Sequence, residues 1–207
     1  MRITIAANVR LPEMKETELK GLSFRVAKAS LWNDIVKLFG ERGACGGCWC
    51  MFWRVPRKQY DANRGTKNKK ALKKLVESDV QPGVIAYVGK NPIGWCAVAP
   101  RSDYIGLERS RILKPVDDQP VWSISCLFVD KAFRRRGVST KLIKAAADLA
   151  AKRGARIVEG YPVEPSSDKA PDPFLWHGLS SAFLTAGFHE VLRRSESRPI
   201  MRLVVGK

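Results

Sequence analysis

Three arginines followed by a glycine occupy residues 134–137, between an apolar run and a helical stretch. The apolar run, residues 121–129, predicts a strand, and residues 140–153 have the periodicity of a helix. A strand that ends in a tight turn and opens a helix leaves backbone N–H groups unpaired and directed at one point, where the helix dipole favours negative charge. Gly137 lets this backbone approach a ligand closely, and the arginines add fixed positive charge. The turn therefore predicts a binding site for a pyrophosphate.

The elements around the turn predict a βαβ-like unit. Apolar residues recur at helical spacing after the turn: Leu142, Ile143, Ala146, Leu149 and Ala150. Ser139 is the predicted N-cap of this helix, and Gly154 is its predicted C′ residue. Residues 155–161 are short and β-branched in the middle, which predicts a second strand. The turn then lies at the carboxyl end of a strand, where ligands bind in open α/β sheets.

The same residues resemble motif A of the GNAT superfamily of acetyl-CoA-dependent N-acetyltransferases. Arg134 and Gly137 match its arginine and first glycine, and Ser139 replaces its final glycine or alanine with another small residue. Residues 127–130, Leu-Phe-Val-Asp, are similar to the family's splayed fourth strand, and residues 182–188 resemble its closing helix with a Gly-Phe ending. The resemblance extends over residues 22–202.

This resemblance implies a fold, a cofactor and a set of cofactor contacts. The fold is α/β (α+β), a mixed and strongly twisted central sheet with helices on both faces. One domain of residues 1–207 is expected, with residues 1–20 as an extra strand or an arm. Acetyl-CoA is the expected cosubstrate. Its expected contacts are the splayed strand and the turn with the first helical residues: Leu127, Phe128, Val129, Arg134, Arg135, Arg136, Gly137, Val138, Ser139 and Thr140.

Amide formation from acetyl-CoA requires a neutral amine, a polarised thioester carbonyl and a proton for the departing thiolate. Glu159, in the strand after the helix, is the predicted base, and the alternative interpretation is an exposed strand residue or an ion-pair partner. The family's usual acid is a tyrosine of the closing helix, but Phe183 stands there. Tyr161 is the predicted substitute, with a locally satisfied core tyrosine or a water donor as alternatives. Trp176 stands where the family often has an asparagine that contacts CoA, with His177 beside it.

Residues 45–53 combine cysteines with aromatic residues. Cys45, Cys48 and Cys50 could ligate zinc, but no fourth ligand lies nearby in the sequence, so we predict no metal site. The segment lies between the first two predicted helices, a position that forms a wall of the acceptor pocket in the family. The predicted substrate contacts are therefore aromatic, with core packing as the alternative: Trp49, Phe52, Trp53 and Trp122.

Composition limits the partners. The 207 residues carry a formal net charge of +17, and no apolar run reaches the ~18 residues of a membrane span. Residues 54–74 contain much of the positive charge, which suits a solvated surface or a funnel for an anionic ligand. Tyr60 is the only aromatic residue in this stretch. Because nucleic-acid-binding surfaces often combine basic side chains with aromatic ones on which bases stack, nucleic-acid binding is disfavoured. The absence of a signal-peptide pattern predicts a cytoplasmic protein, whose five cysteines are then reduced thiols.

The remaining patterns complete the predicted sheet. Strands are expected at 22–26, 84–88, 93–99, 190–194 and 200–205, and helices at 30–39, 67–78 and 178–186, with a helical turn near 107–111. The sequence predicts an acyltransferase that moves an acetyl group from acetyl-CoA directly to an amine, expected to be a small molecule. The alternative is a CoA-binding sensor or structural protein with weak catalysis. The acceptor, the acyl chain length and a homodimer through the sheet edge stay open.

Overall fold

A mixed sheet of seven strands is the centre of the computed structural model, which describes residues 19–78, 80–165 and 175–206. Its strands are β1 (Leu22–Val26), β2 (Gly83–Val88), β3 (Asn91–Pro100), β4 (Trp122–Val129), β5 (Ile157–Gly160), β6 (His189–Arg193) and β7 (Pro199–Val204). Their order in the sheet is β1-β2-β3-β4-β5-β7-β6. Only β4 and β5 pair in parallel, because a crossover helix connects them; the other neighbours are antiparallel.

Helices cover both faces of this sheet, as the sequence predicts. They are α1 (Trp32–Phe39), α2 (Arg57–Ala62), α3 (Thr66–Glu77), α4 (Ile105–Glu108), α5 (Val138–Lys152) and α6 (Ser180–Thr185). The apolar stripe of α5 and Phe183 of α6 share one buried cluster with the strands. Side chains of α1 and α3 share a second cluster on the opposite face. None of the helices in the described ranges is long and apolar enough to cross a lipid bilayer.

A β-bulge in β4 changes which residues face each layer. Ala97 pairs with Cys126 and Val98 pairs with Ile124, so Ser125 is an extra residue on β4. Ile124 packs on the α5 side, whereas Cys126 packs on the α1 side. A bulge of this kind bends its strand and re-aims the residues that follow. It lies immediately before the segment that the sequence predicts to contact acetyl-CoA.

The starts of α1 and α5 differ from the predictions, whereas α1 ends at Phe39 and α5 ends before Gly154, as predicted. Helix α5 begins at Val138 with Gly137 as its N-cap, so the prediction of Ser139 as N-cap is wrong. Gly137 can take the left-handed conformation that the turn requires, with φ 71°. Helix α1 begins at Trp32 after a 3₁₀ turn of Ala29–Leu31, and Ser30 therefore does not cap it. The short basic helix α2 was not predicted, because its charged sequence has little apolar periodicity.

Candidate active site

Strands β4 and β5 separate halfway along β4. They pair through Trp122 with Val158, Ser123 with Glu159, and Ile124 with Gly160. Beyond this point β4 continues past the Ser125 bulge to Val129, whereas β5 ends. The sheet therefore opens at the carboxyl ends of two parallel strands, where open α/β sheets bind ligands.

The turn before α5 lies next to this opening. Asp130 begins it, since its carboxylate accepts a hydrogen bond from the Ala132 N–H at 2.9 Å. Arg134 then donates from Nε to the Val129 carbonyl oxygen at 2.9 Å, which holds the turn against the end of β4. Arg135 has a positive φ of 58°, as Gly137 does, and positive φ is uncommon for a residue with a Cβ. Two left-handed residues in three reverse the chain tightly enough to begin α5 there.

The first turn of α5 has the features of an anion site. Val138, Ser139 and Thr140 supply first-turn N–H groups, which have no partner within a helix. The dipole of this 15-residue helix favours negative charge at the same end. Arg135 and Arg136 are exposed beside it. The structure thus brings the predicted phosphate-binding residues together at one end of α5.

The open edge of β4 presents main-chain groups of alternate residues. The Leu127 N–H points away from β3 and donates to the Trp176 carbonyl oxygen at 2.7 Å. By alternation Val129 shares this edge, whereas the main chain of Phe128 faces β3, where it pairs with Trp95. The Phe128 ring packs edge-on against Phe39, with centroids 5.8 Å apart. The segment containing Trp176 therefore occupies a donor that the resemblance assigns to the cofactor.

Glu159 is fully buried between two arginines. Its Oε1 accepts from Arg101 Nη1 at 3.0 Å, and its Oε2 accepts from Arg202 Nε at 2.8 Å. Tyr161 donates its hydroxyl to the same Oε1 at 2.7 Å. These contacts are those of the ion-pair interpretation, because two guanidiniums and a phenol occupy three of the roughly four acceptor positions of the carboxylate. Its prediction as a base stays untested.

Tyr161 is buried with its hydroxyl in the same network. Ser123 Oγ lies 2.7 Å from the phenol oxygen, and Arg101 Nη1 donates to that oxygen at 2.5 Å. Burial and the neighbouring Glu159 raise the pKa of Tyr161 well above its ordinary value, so the phenol stays protonated. The contacts match the alternative of a locally satisfied tyrosine. Arg101 and Arg202 were missed by the sequence reasoning, because nothing in their local spacing marks them.

The network continues outward through both arginines. Arg202 also holds Asp117 through two hydrogen bonds, at 2.7 and 3.0 Å. Arg101 also donates to Glu108 at 2.8 Å and to the Leu113 carbonyl oxygen at 2.7 Å. The connection of residues 101–121 is thereby fastened onto β5 and β7. This polar network supports the sheet beside the opening.

The four aromatic residues predicted to contact substrate lie in different parts of the structure. Phe52 and Trp53 meet Trp176, with ring centroids 5.2 and 6.2 Å apart. Trp49 is instead a core residue that packs on Trp32 and Phe39. Trp122 begins β4 at the end remote from the opening and packs on the α5 cluster. Only Phe52 and Trp53 therefore lie beside the segment that borders the open edge.

The cysteines of residues 45–50 do not converge. Cys45 is exposed, Cys48 is half-buried, and Cys50 is buried with its Sγ 3.4 Å from Cys126 Sγ. Within residues 19–78, 80–165 and 175–206, no three His, Cys, Asp or Glu side chains are grouped to hold a metal ion. The contact with Cys50 and burial raise the pKa of Cys126 well above its ordinary value. A buried neutral thiol is a poor nucleophile, which argues against an acetyl-enzyme on Cys126.

Phe183 fills the position of the family tyrosine with a packed ring. The ring is fully buried and lies edge-on to Phe188, with centroids 5.1 Å apart. A Cβ added to Gly160 would lie 2.1 Å from this ring, so the glycine is needed where β5 ends. Phe183 supplies packing at the opening and no proton.

His177, beside Trp176, is buried. Only 3% of its surface is exposed, and its ring stacks on Trp176 with centroids 3.7 Å apart. Burial, helped by the nearby positive charge of Arg198, lowers the pKa of His177 well below its ordinary value. The imidazole is therefore neutral at physiological pH.

We expect this histidine to make stability depend on pH. Unfolding gives His177 back its ordinary pKa near ~6.5, so the unfolded chain binds a proton that the folded chain excludes. The free energy of unfolding should therefore fall as pH drops below about 6.5, by up to ~1.4 kcal/mol per pH unit. Urea titrations at pH 7.5 and pH 5.5 measure the effect.

His177→Gln should remove most of this slope, whereas His189→Gln provides the matched control. His189 is exposed and is the second of the chain's two histidines, so its substitution should leave the slope unchanged. An equal slope in wild type and His177→Gln would contradict the assignment of a neutral buried imidazole.

Comparison with known proteins agrees with this geometry. Residues 49–170 match the model of the Acetyltransferase (GNAT) family. Among curated proteins, no relative matches significantly. A GNAT-family acetyltransferase from Listeria monocytogenes 4b F2365 is 10% identical with a TM-score of 0.53, and the match covers 89% of this chain and 95% of that one.

Two further solved structures share the fold. An uncharacterised protein from Bacillus halodurans is 14% identical with a TM-score of 0.51, over 88% of this chain and 83% of that one. The GNAT domain of S. lividans PAT is 14% identical with a TM-score of 0.50, over 88% and 89% of the two chains. The tight turn at the start of α5, the opening between β4 and β5, and the family match lead to one conclusion. The chain belongs to the GNAT family of acetyltransferases.

Proposed function

We propose that this protein transfers an acetyl group from acetyl-CoA directly to an amine of a small molecule. The observation that carries the proposal is the left-handed turn at Gly137, which presents the N-terminus of α5 beside the opening between β4 and β5. The pyrophosphate of acetyl-CoA binds the N–H groups of that first turn, and Arg135 and Arg136 add positive charge. The cytoplasm is the proposed location.

The pantetheine arm follows the open edge of β4. Leu127 and Val129 have their main-chain groups on this edge, and a donor there polarises the thioester oxygen where negative charge develops. The Leu127 N–H reaches the cofactor only after it leaves the Trp176 carbonyl oxygen. The contact with the cofactor is therefore assigned to the main chain of Val129 on the same edge.

In the transfer, the amine nitrogen bonds to the acetyl carbon while the carbon–sulfur bond breaks. The amine loses a proton, and the departing thiolate gains one to become free CoA. The contacts of Glu159 and Tyr161 support a positioning role for both residues better than proton transfer. Holding acetyl group and amine together supplies much of the rate acceleration, with water carrying the protons.

Calorimetry and a turnover assay test the proposal. Titration of acetyl-CoA into the protein should show binding, and free CoA should then accumulate only when an amine is added. Binding with amine-dependent CoA release supports the acetyltransferase. No detectable binding of acetyl-CoA would overturn the proposal at its first step.

A CoA-binding sensor with little turnover is the second candidate. Phe183 favours it, because a buried phenyl ring replaces the tyrosine that serves as acid in many family members. Binding of acetyl-CoA without CoA release from any amine in a broad panel would select the sensor. Amine-dependent release above the hydrolysis rate would select the enzyme.

A further inference from the structure

Buried polar atoms without a partner concentrate beside the opening. Across the described residues, four buried side-chain nitrogen or oxygen atoms have no hydrogen-bond partner: Trp53 Nε1, Trp95 Nε1, His177 Nδ1 and Arg198 Nε. A buried unsatisfied polar group costs roughly 1–3 kcal/mol, and native proteins contain few of them. Three of these four belong to neighbouring side chains, which calls for a common explanation.

These three side chains are linked through His177. The Trp53 ring lies 5.6 Å from the His177 ring between centroids. The segment after β5 connects His177 with Arg198, because the Val163 N–H donates to the carbonyl oxygen of Gly178, next to His177, at 2.8 Å, and the Glu164 N–H donates to that of Ser197, next to Arg198, at 2.9 Å. Arg198 is anchored from the other side, because its Nη2 donates to the Tyr161 carbonyl oxygen at 3.2 Å. Trp53, His177 and Arg198 are called the donor triplet below.

The donor triplet matches an anion. An indole N–H and a guanidinium can only donate, and a neutral imidazole nitrogen can donate or accept. No carboxylate in the described part of the chain pairs with Arg198: Glu159 is held by Arg101 and Arg202, and Glu164 by Arg193. A partly buried guanidinium without an anion is costly, and a carboxylate fits its planar fork.

The donor triplet also lies where an acceptor must reach the acetyl group. Trp176, next to His177, contacts the Leu127 N–H on the open edge of β4. Arg198 contacts the main chain of Tyr161, the residue that follows β5. The triplet therefore borders the opening on the side of β5. Phe52 and Trp176 add apolar walls with rings 5.2 Å apart.

We propose that the donor triplet binds the carboxylate of the acceptor, so that the substrate class is an amine that also carries a carboxylate, such as an amino acid. The proposal rests on the proposed acetyl transfer. Arg198 supplies the charge and a donor, Trp53 adds an indole donor, and His177 completes the wall. The carboxylate holds the molecule while its amine faces the opening.

The test measures binding without chemistry. Protein saturated with free CoA, which has no acetyl group to transfer, is titrated calorimetrically with amino acids and with the carboxamide of each. At least one amino acid should bind about 10-fold or more tightly than its carboxamide, because the amide lacks the negative charge. Arg198→Met should abolish that preference and leave the affinity for acetyl-CoA within about 2-fold of wild type.

Arg194 provides the matched control on the same connection between β6 and β7. Its guanidinium donates to backbone carbonyl oxygens of Lys114 and Pro115 at 2.7 and 2.8 Å. Arg194→Met should keep the preference for the carboxylate. Arg198→Lys, which keeps the positive charge, should recover part of the preference, and circular dichroism verifies that each variant is folded.

The outcomes separate this proposal from the proposed function. Equal binding of acids and amides, binding of no amino acid, a preference for aminophosphonates, or a preference that survives Arg198→Met would each overturn the carboxylate site. The acetyltransferase itself fails only if acetyl-CoA does not bind or no amine releases CoA. If the protein acetylates amines that lack a carboxylate, the proposed acetyl transfer stands and the carboxylate site is contradicted.

Discussion

Replacing Gly137 with valine should weaken acetyl-CoA binding by at least about 100-fold. Gly137 has φ 71° and ψ 2°, a left-handed conformation that a β-branched residue adopts only with strain. The added side chain also stands between the anion and the N–H groups of the first turn of α5. A loss of ~3 kcal/mol, the size of one or two charge-assisted hydrogen bonds, gives about this factor. Calorimetry with acetyl-CoA measures it.

Gly154→Val provides the matched control at the other end of α5. Gly154 also has a positive φ, 88°, and a Cβ added there meets no atom within 4 Å. Both variants therefore carry a comparable backbone strain, but only Gly137 faces the proposed pyrophosphate. An equal loss of affinity in the two variants would show that helix strain causes the effect, and would count against the anion site.

Glu159→Gln should lower the free energy of unfolding by about 3–5 kcal/mol, the usual cost of breaking a buried ion pair. The side chain of Glu159 is 1% exposed and those of Arg101 and Arg202 are 8% and 9% exposed. Glutamine leaves both guanidiniums without their shared counter-charge and turns an amide nitrogen toward one of them. Domains are stable by only about 5–15 kcal/mol, so this variant retains little margin. Chemical denaturation at pH 7.5 gives the value.

Asp117→Asn is the control for Glu159→Gln. Asp117 binds the same Arg202, but its side chain is 38% exposed, so its loss should cost much less free energy of unfolding than the loss of Glu159. If the two variants lost a similar free energy of unfolding, burial of the ion pair would not explain the effect of Glu159→Gln.

Turnover of the folded Glu159→Gln variant tests the base role separately. Unchanged turnover across pH would remove Glu159 from proton transfer, whereas loss of a pH-dependent limb in kcat would restore it. The stability and turnover measurements together distinguish an ion-pair residue from a base.

The turn between β4 and α5 could be predicted because its determinants are contiguous. An apolar run, a glycine and an amphipathic stretch act through neighbouring residues, so their order specifies β4, the turn and α5. The strands predicted at 84–88 and 93–99 are confirmed for the same reason, as the antiparallel pair β2 and β3. The predicted N-cap of α5 lies two residues from the observed one, because serine is a common cap, whereas the observed position is left-handed and favours glycine.

The aromatic segment shows where local patterns stop being informative. Trp49, Phe52 and Trp53 lie close together in the sequence, yet Trp49 packs in the core while Phe52 and Trp53 contact Trp176. Residues 49 and 50 have positive φ, so the chain reverses there and sends neighbouring side chains in different directions. Spacing in the sequence does not encode such a reversal when the residues are not glycine.

The sequence by itself determined the family resemblance, the mixed sheet with helices on both faces, and the glycine turn that opens α5. Only the tertiary structure decided the surroundings of the chemical groups. Glu159 meets Arg101 from 58 positions away and Arg202 from 43, and His177 is buried against Trp53. Secondary structure follows from local patterns, whereas burial and ion pairing depend on which distant segments the sheet brings into contact.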